Sequence, residues 1–72
     1  MELREYLRLW YLSVGERPLS GWQWLLEEQD RDTEIELCDA AQELGFTRYD
    51  NIKNSVARVI TPKGLEFIKN GT

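Results

Sequence analysis

Cys38 is the only cysteine in the chain, and no histidine is present. The usual base near neutral pH and the commonest nitrogen ligand for metals are therefore both missing. A thiol is activated by a helix N-terminus, a neighbouring cation or a metal. No helix start or imidazole falls beside Cys38, which lies on the apolar face of an expected helix and reads as a small core residue. Asp30-x-Asp32-x-Glu34 begins like a calcium loop. It fails at its sixth position, Ile35 where glycine must turn the chain, and at its twelfth, Ala41 where a bidentate glutamate is needed. The five glycines are isolated, so no phosphate cradle is present. Carboxylates are plentiful, but so short a chain offers no deep cleft in which to bury a catalytic pair. The expectation is a non-enzymatic protein with no catalytic residues, no metal and no cofactor.

Charge is the remaining chemical resource, and it is unevenly spread. Residues 1–47 carry four bases against eleven acids, and residues 48–72 carry five bases against two. The net charge is −4. Such segregation decides which surface can approach an anion. The chain has 72 residues, which suits one domain over 1–72. Hydrophobic residues make up 42%, enough for a small core and too many for a disordered chain. No charged-then-apolar leader opens the sequence, and no apolar run approaches the roughly 20 residues that cross a bilayer. With a single cysteine, these features fit a soluble, reducing, cytoplasmic setting.

The elements that must position these groups can be read in order. Residues 2–14 form a first helix, with Leu3, Tyr6, Leu7, Trp10, Tyr11 and Val14 on one broad face. Gly15 ends it. Leu9 and Leu12 fall off that face; they either pack a second side of the helix or make a homodimer contact. Glu16-Arg17-Pro18-Leu19 is a connector or a very short strand. Ser20 opens a second helix with Gln23 completing a capping box, and Trp22, Leu25 and Leu26 turn inward. Trp24 points about 200° away from Trp22. It forms either a hydrophobic staple with Leu19 or an exposed contact for a partner.

Gln29–Asp32 is a turn, and Thr33 with Glu36 makes a second capping box for the third helix. Glu34 and Glu36 suit the positive end of its dipole. Leu37, Cys38, Ala41 and Leu44 share a face, and Gly45 stops the helix with Phe46 as its apolar companion. Thr47–Asp50 and Val56–Ile60 read as strands around a turn at Asn51–Asn54. Ile52, Val56 and Val59 also have helical spacing, a rival that the β-branched residues weigh against. Thr61 then caps a last helix over 62–70, with Pro62 at its first position, Leu65 and Ile68 inward and Phe67 flanking them.

Ile60-Thr61-Pro62-Lys63-Gly64-Leu65-Glu66-Phe67-Ile68 is similar to the Leu-Thr-x-x-Gly segment that follows the wing in MarR-like and PadR-like regulators. It also resembles that segment in small YjcQ-like proteins of bacteria and phages. Pro18-Leu19-Ser20-Gly21 resembles the short strand and cap before their second helix. The order of elements matches over the whole chain. The resemblance implies an α+β winged helix-turn-helix domain: a three-helix core, a C-terminal β-hairpin wing and a fourth helix. The alternative is an all-α four-helix bundle.

A winged helix implies transcription regulation through DNA, with the third helix reading bases. Here that helix offers Glu34, Glu36, Asp39, Gln42 and Glu43, which phosphates repel. The DNA contacts would fall instead to the wing and its exit, at Arg48, Lys53, Arg58 and Lys63. The competing function is a protein-interaction module or DNA mimic. It would present Trp24, Glu27, Glu28, Glu34 and Glu36 to a basic partner.

Overall fold

The computed structural model describes residues 1–20, 23–52 and 55–70. The first helix, α1, spans Leu3–Val14. Its apolar stripe buries Tyr6, Leu7 and Trp10, and the rings of Tyr6 and Trp10 meet edge to face at 6.2 Å. Gly15 takes φ 63° and donates its N–H back to the Tyr11 carbonyl, closing the helix. A two-residue strand, β1 (Leu19–Ser20), follows, with Leu19 fully buried.

The expected second helix is absent among the described residues. Gln23–Glu27 hold no regular structure beyond a bend at Leu25 and Leu26, and one 3-10 turn at Glu28–Asp30 runs straight into α2 (Arg31–Glu43). The reason is competition for backbone groups. The Glu34 carboxylate takes the Leu25 and Leu26 amides, and the Arg58 guanidinium takes the Gln23 and Ser20 carbonyls. Side chains from later elements thus occupy the groups a helix would pair internally. Gly21 and Trp22 lie outside the described residues. The staple of Leu19 on Trp24 has no helix to staple. The second capping box is also corrected: α2 begins at Arg31 behind Asp30, with no side-chain cap, so Thr33 lies inside it.

At its far end α2 closes as expected. Gly45, at φ 81°, donates to the Gln42 carbonyl and Phe46 donates to Ala41, the paired bonds of a Schellman stop. Two antiparallel strands then form a hairpin, β2 (Thr47–Ile52) and β3 (Ser55–Ile60). The helical rival for 51–59 is thereby overturned. The strands also reach further than read from sequence, through Asn51 and Ile52, while Lys53 and Asn54 lie outside the described residues. The sheet order is β1-β3-β2, antiparallel throughout. The chain is therefore α+β, with three α-helices and a three-stranded sheet among the described residues, and the four-helix bundle is excluded.

The last helix, α3, spans Pro62–Lys69 and starts as the sequence demands. Thr61 Oγ1 accepts from the Gly64 N–H at 3.1 Å and donates to the Gly45 carbonyl at 2.6 Å. Phe67 stacks on Phe46 with ring centroids 4.3 Å apart. Phe67 and Ile68 pack on the core, whereas Leu65, expected inward, is half-buried beside Tyr11 in a surface groove. The core is small: Tyr6, Leu7, Trp10, Leu19, Cys38, Ala41 and Phe46. No described helix is long and apolar enough to cross a membrane.

Candidate functional site

The sheet register sorts β3 by face. Arg58 pairs with Leu19 on one side and Tyr49 on the other, and Ile60 pairs with Thr47. Alternation puts Val56, Arg58 and Ile60 on one face. That face meets the helices, so Arg58 is carried inward and is only 5% exposed. On α2 the buried positions are Glu34, Cys38 and Ala41, one stripe at helical spacing. A formal anion and a formal cation are therefore both brought inside a domain of this size.

They are joined by a chain of polar contacts. The Tyr6 hydroxyl donates to Glu34 Oε2 at 2.6 Å and lies 3.3 Å from Cys38 Sγ. Arg58 Nη1 donates to the same sulfur at 2.9 Å. Arg58 Nη2 donates to the Gln23 carbonyl at 2.7 Å. Glu34 also receives the Leu25 N–H at 2.9 Å and the Leu26 N–H at 3.0 Å. Three donors meet this carboxylate, which is what a buried charge requires. Burial first, then its contacts with Cys38 and Glu34, push the Tyr6 hydroxyl far above its ordinary value of 10.0. Tyr6 therefore serves as a fixed donor rather than a proton carrier. The guanidinium of Arg58 lies 5.3 Å from the Trp10 ring and 5.5 Å from Trp24, so two π-faces share its charge.

Above this network lies a cleft of about 100 Å³ between α2 and the hairpin, lined by Trp24, Ile35, Cys38, Asp39, Tyr49 and Arg58. Trp24 is half-buried, with the Arg31 guanidinium 4.3 Å from its ring centroid. Asp39 is exposed at the cleft's edge, α2 turns Asp32, Glu36 and Glu43 to solvent as well, and Glu27, Glu28 and Asp30 precede them, also exposed. None of these seven makes an ion pair among the described residues; the one such pair joins Arg48 to Asp50 at 3.0 Å. No group of three potential metal ligands occurs among the described residues.

The residues singled out from sequence are thus redistributed. Arg48 is exposed but already paired across its own strand. Lys53 lies outside the described residues. Arg58, expected on the outside of the wing, is turned into the core by the pleat and is buried. Lys63 is exposed, its ammonium 5.8 Å from the Phe46 ring centroid, on the first turn of α3. Glu27, Glu28 and Glu36 are exposed as expected, but Glu34, expected beside them, is fully buried as the anchor of the 23–27 loop. Leu9 is half-buried and Leu12 exposed. Cys38 is buried as read, although the arginine at its sulfur and the tyrosine beside it were missed. The signals existed: Glu34 shares the spacing of Cys38 and Ala41, and Arg58 alternates in phase with Ile60.

No family model, no curated protein and no solved structure matches the chain.

Proposed function

We propose that this chain is a non-enzymatic interaction module that presents the acidic face of α2 to a basic protein surface. The observation that carries this reading is the inward turn of Arg58. It removes the central cation from the hairpin's exterior, while α2 keeps four exposed carboxylates free of cations among the described residues. Phosphate neutralisation drives non-specific DNA affinity, and this surface works against it. The element order still favours a winged-helix type of fold, in which α2 would hold the place of the reading helix. On that view a protein groove or basic patch, rather than DNA, meets α2. The DNA reading, resting on Arg48, Lys53 and Lys63, is supported by the excess of bases after residue 47.

Amide-resolved NMR titrations at low salt separate the two. A lysine-rich peptide should shift the signals of Asp32, Glu36 and Asp39, and reversing charge with Asp32→Lys and Glu36→Lys should abolish the effect. A DNA duplex should leave the spectrum unchanged. Shifts from duplex DNA at Arg48 and Lys63 that fade steeply with salt would overturn the proposal in favour of DNA.

A further inference from the structure

The cleft beside the acidic face has one carboxylate, Asp39, in its lining, and apolar side chains make up the rest of its mouth. Ile35 is 42% exposed, Tyr49 49% and Val56 51%, and Trp24 is half-buried beside them. Tyr49 and Val56 share a sheet face, because Tyr49 pairs with Arg58 and Val56 with Asn51, two positions apart on each strand. That face looks towards α2, and Ile35 closes the cleft from the helix side. An exposed apolar patch rimmed by polar groups is the usual mark of a contact surface. Here Asp39 supplies the acid in the lining, more acids continue along α2, and the Arg31 guanidinium sits against the Trp24 wall. Asp32, Glu36 and Asp39 follow one another along α2 at helical spacing, with Ile35 on the same stripe.

Resting on the interaction-module reading above, we propose that this cleft takes one aliphatic side chain from an amphipathic, lysine- or arginine-rich segment of a partner protein. Charge complementarity sets the occupant. The flanking bases meet Asp39 at the cleft and Asp32 and Glu36 further along the exposed face of α2. They are kept from the floor by Arg58, whose own charge lies there between Trp10 and Trp24. Beside that guanidinium the lining offers the Cys38 sulfur, the Trp24 and Tyr49 rings and the Ile35 side chain, the surface that an apolar inserted group would cover. Size narrows it further. About 100 Å³ is available, against the ~150 Å³ that holds a benzene ring in an engineered apolar cavity. A leucine or methionine fits; an indole does not.

The test uses two synthetic peptides, an amphipathic Lys/Leu helix and its Lys/Ser counterpart, titrated into the full chain and followed by tryptophan fluorescence and amide shifts. The variants Ile35→Ser and Tyr49→Ser alter exposed side chains, so folding is retained and is checked by circular dichroism. Leu12→Ser, at an exposed site on α1, is the control. The expected result is tighter binding of the Lys/Leu peptide by about tenfold or more, shifts at Ile35, Asp39 and Tyr49, a similar loss in both cleft variants and none in Leu12→Ser. Equal binding of the two peptides, unaffected by Ile35→Ser and Tyr49→Ser but lost in Glu36→Lys, overturns the cleft while leaving the acidic-face reading standing. Binding lost in Leu12→Ser instead moves the site to α1 and overturns the cleft. Failure of both peptides to bind sinks the two readings together.

Discussion

Glu34 carries its charge to a fully buried place and is met there by Tyr6 and by two loop amides. Hydrogen bonds to a charged group contribute about 1.5–3 kcal/mol each, and an orphaned buried donor costs a comparable amount. Glu34→Gln keeps the shape but offers one acceptor oxygen where two are used. Urea unfolding should show a loss of about 2–3 kcal/mol, with faster hydrogen exchange at Leu25 and Leu26. Tyr6 makes a pH-dependent contribution. Its folded value lies above 10.0, its ordinary one, so the folded state holds the proton longer. Below that ordinary value both states are protonated and stability is flat. As pH rises through it, only the unfolded chain ionises, and stability falls by about 1.4 kcal/mol per pH unit from this one group. Tyr6→Phe should remove that slope while lowering stability at neutral pH, which paired urea titrations at neutral and alkaline pH would read.

Between α2 and α3 the joint is made by short backbone contacts. Thr61 caps α3 and ties it to the Gly45 carbonyl, while the Thr61 N–H donates to Phe46. Thr61→Val retains the β-branched shape and loses both side-chain bonds, so α3 should lose about 1–2 kcal/mol of support, visible as a lower thermal midpoint. Gly64 is tighter still. A methyl there would press into the Phe46 carbonyl and come within 2.9 Å of Ile60 Cγ1. Backbone cannot yield as a side-chain tip does, so Gly64→Ala should cost about 3 kcal/mol, the upper end of overpacking. This joint was legible in advance, because Thr61-Pro62 and Gly45-Phe46 are local chemistry written in adjacent residues. The stretch after Ser20 was not. Its capping box is sound local chemistry, yet Glu34 and Arg58 approach from 8 to 38 residues away and claim its backbone first. Residue type alone gave no hint that a glutamate and an arginine would be core members; only their phase with neighbouring apolar positions did.

At the scale of the whole molecule, the core is small and no cross-link supports it, Cys38 being free. A domain of this size holds roughly 3–5 kcal/mol in reserve. Trp10 is fully buried and touches both the Tyr6 ring and the Arg58 charge. Truncating it to alanine should cost about 3–5 kcal/mol, which matches the reserve. Trp10→Ala is therefore expected to be largely unfolded at room temperature, with collapsed amide dispersion. The charge layout acts at the same scale. Exposed acids gather on α2 while exposed bases are spread over Arg8, Arg17, Arg48, Lys63 and Lys69, so α2 is the pole that a charged partner meets with a definite sign.

The loop at 23–27 has a further consequence for how the polypeptide is made. Its amides wait on Glu34 and its carbonyl at Gln23 waits on Arg58, both translated afterwards. As the nascent chain leaves the ribosome, α1 emerges with its own C-terminal stop at Gly15, but the loop stays open to proteases until the second strand of the hairpin is out. Arrested chains that expose residues up to α2 but not Arg58 should be cut within 23–27, and chains long enough to expose Arg58 should resist.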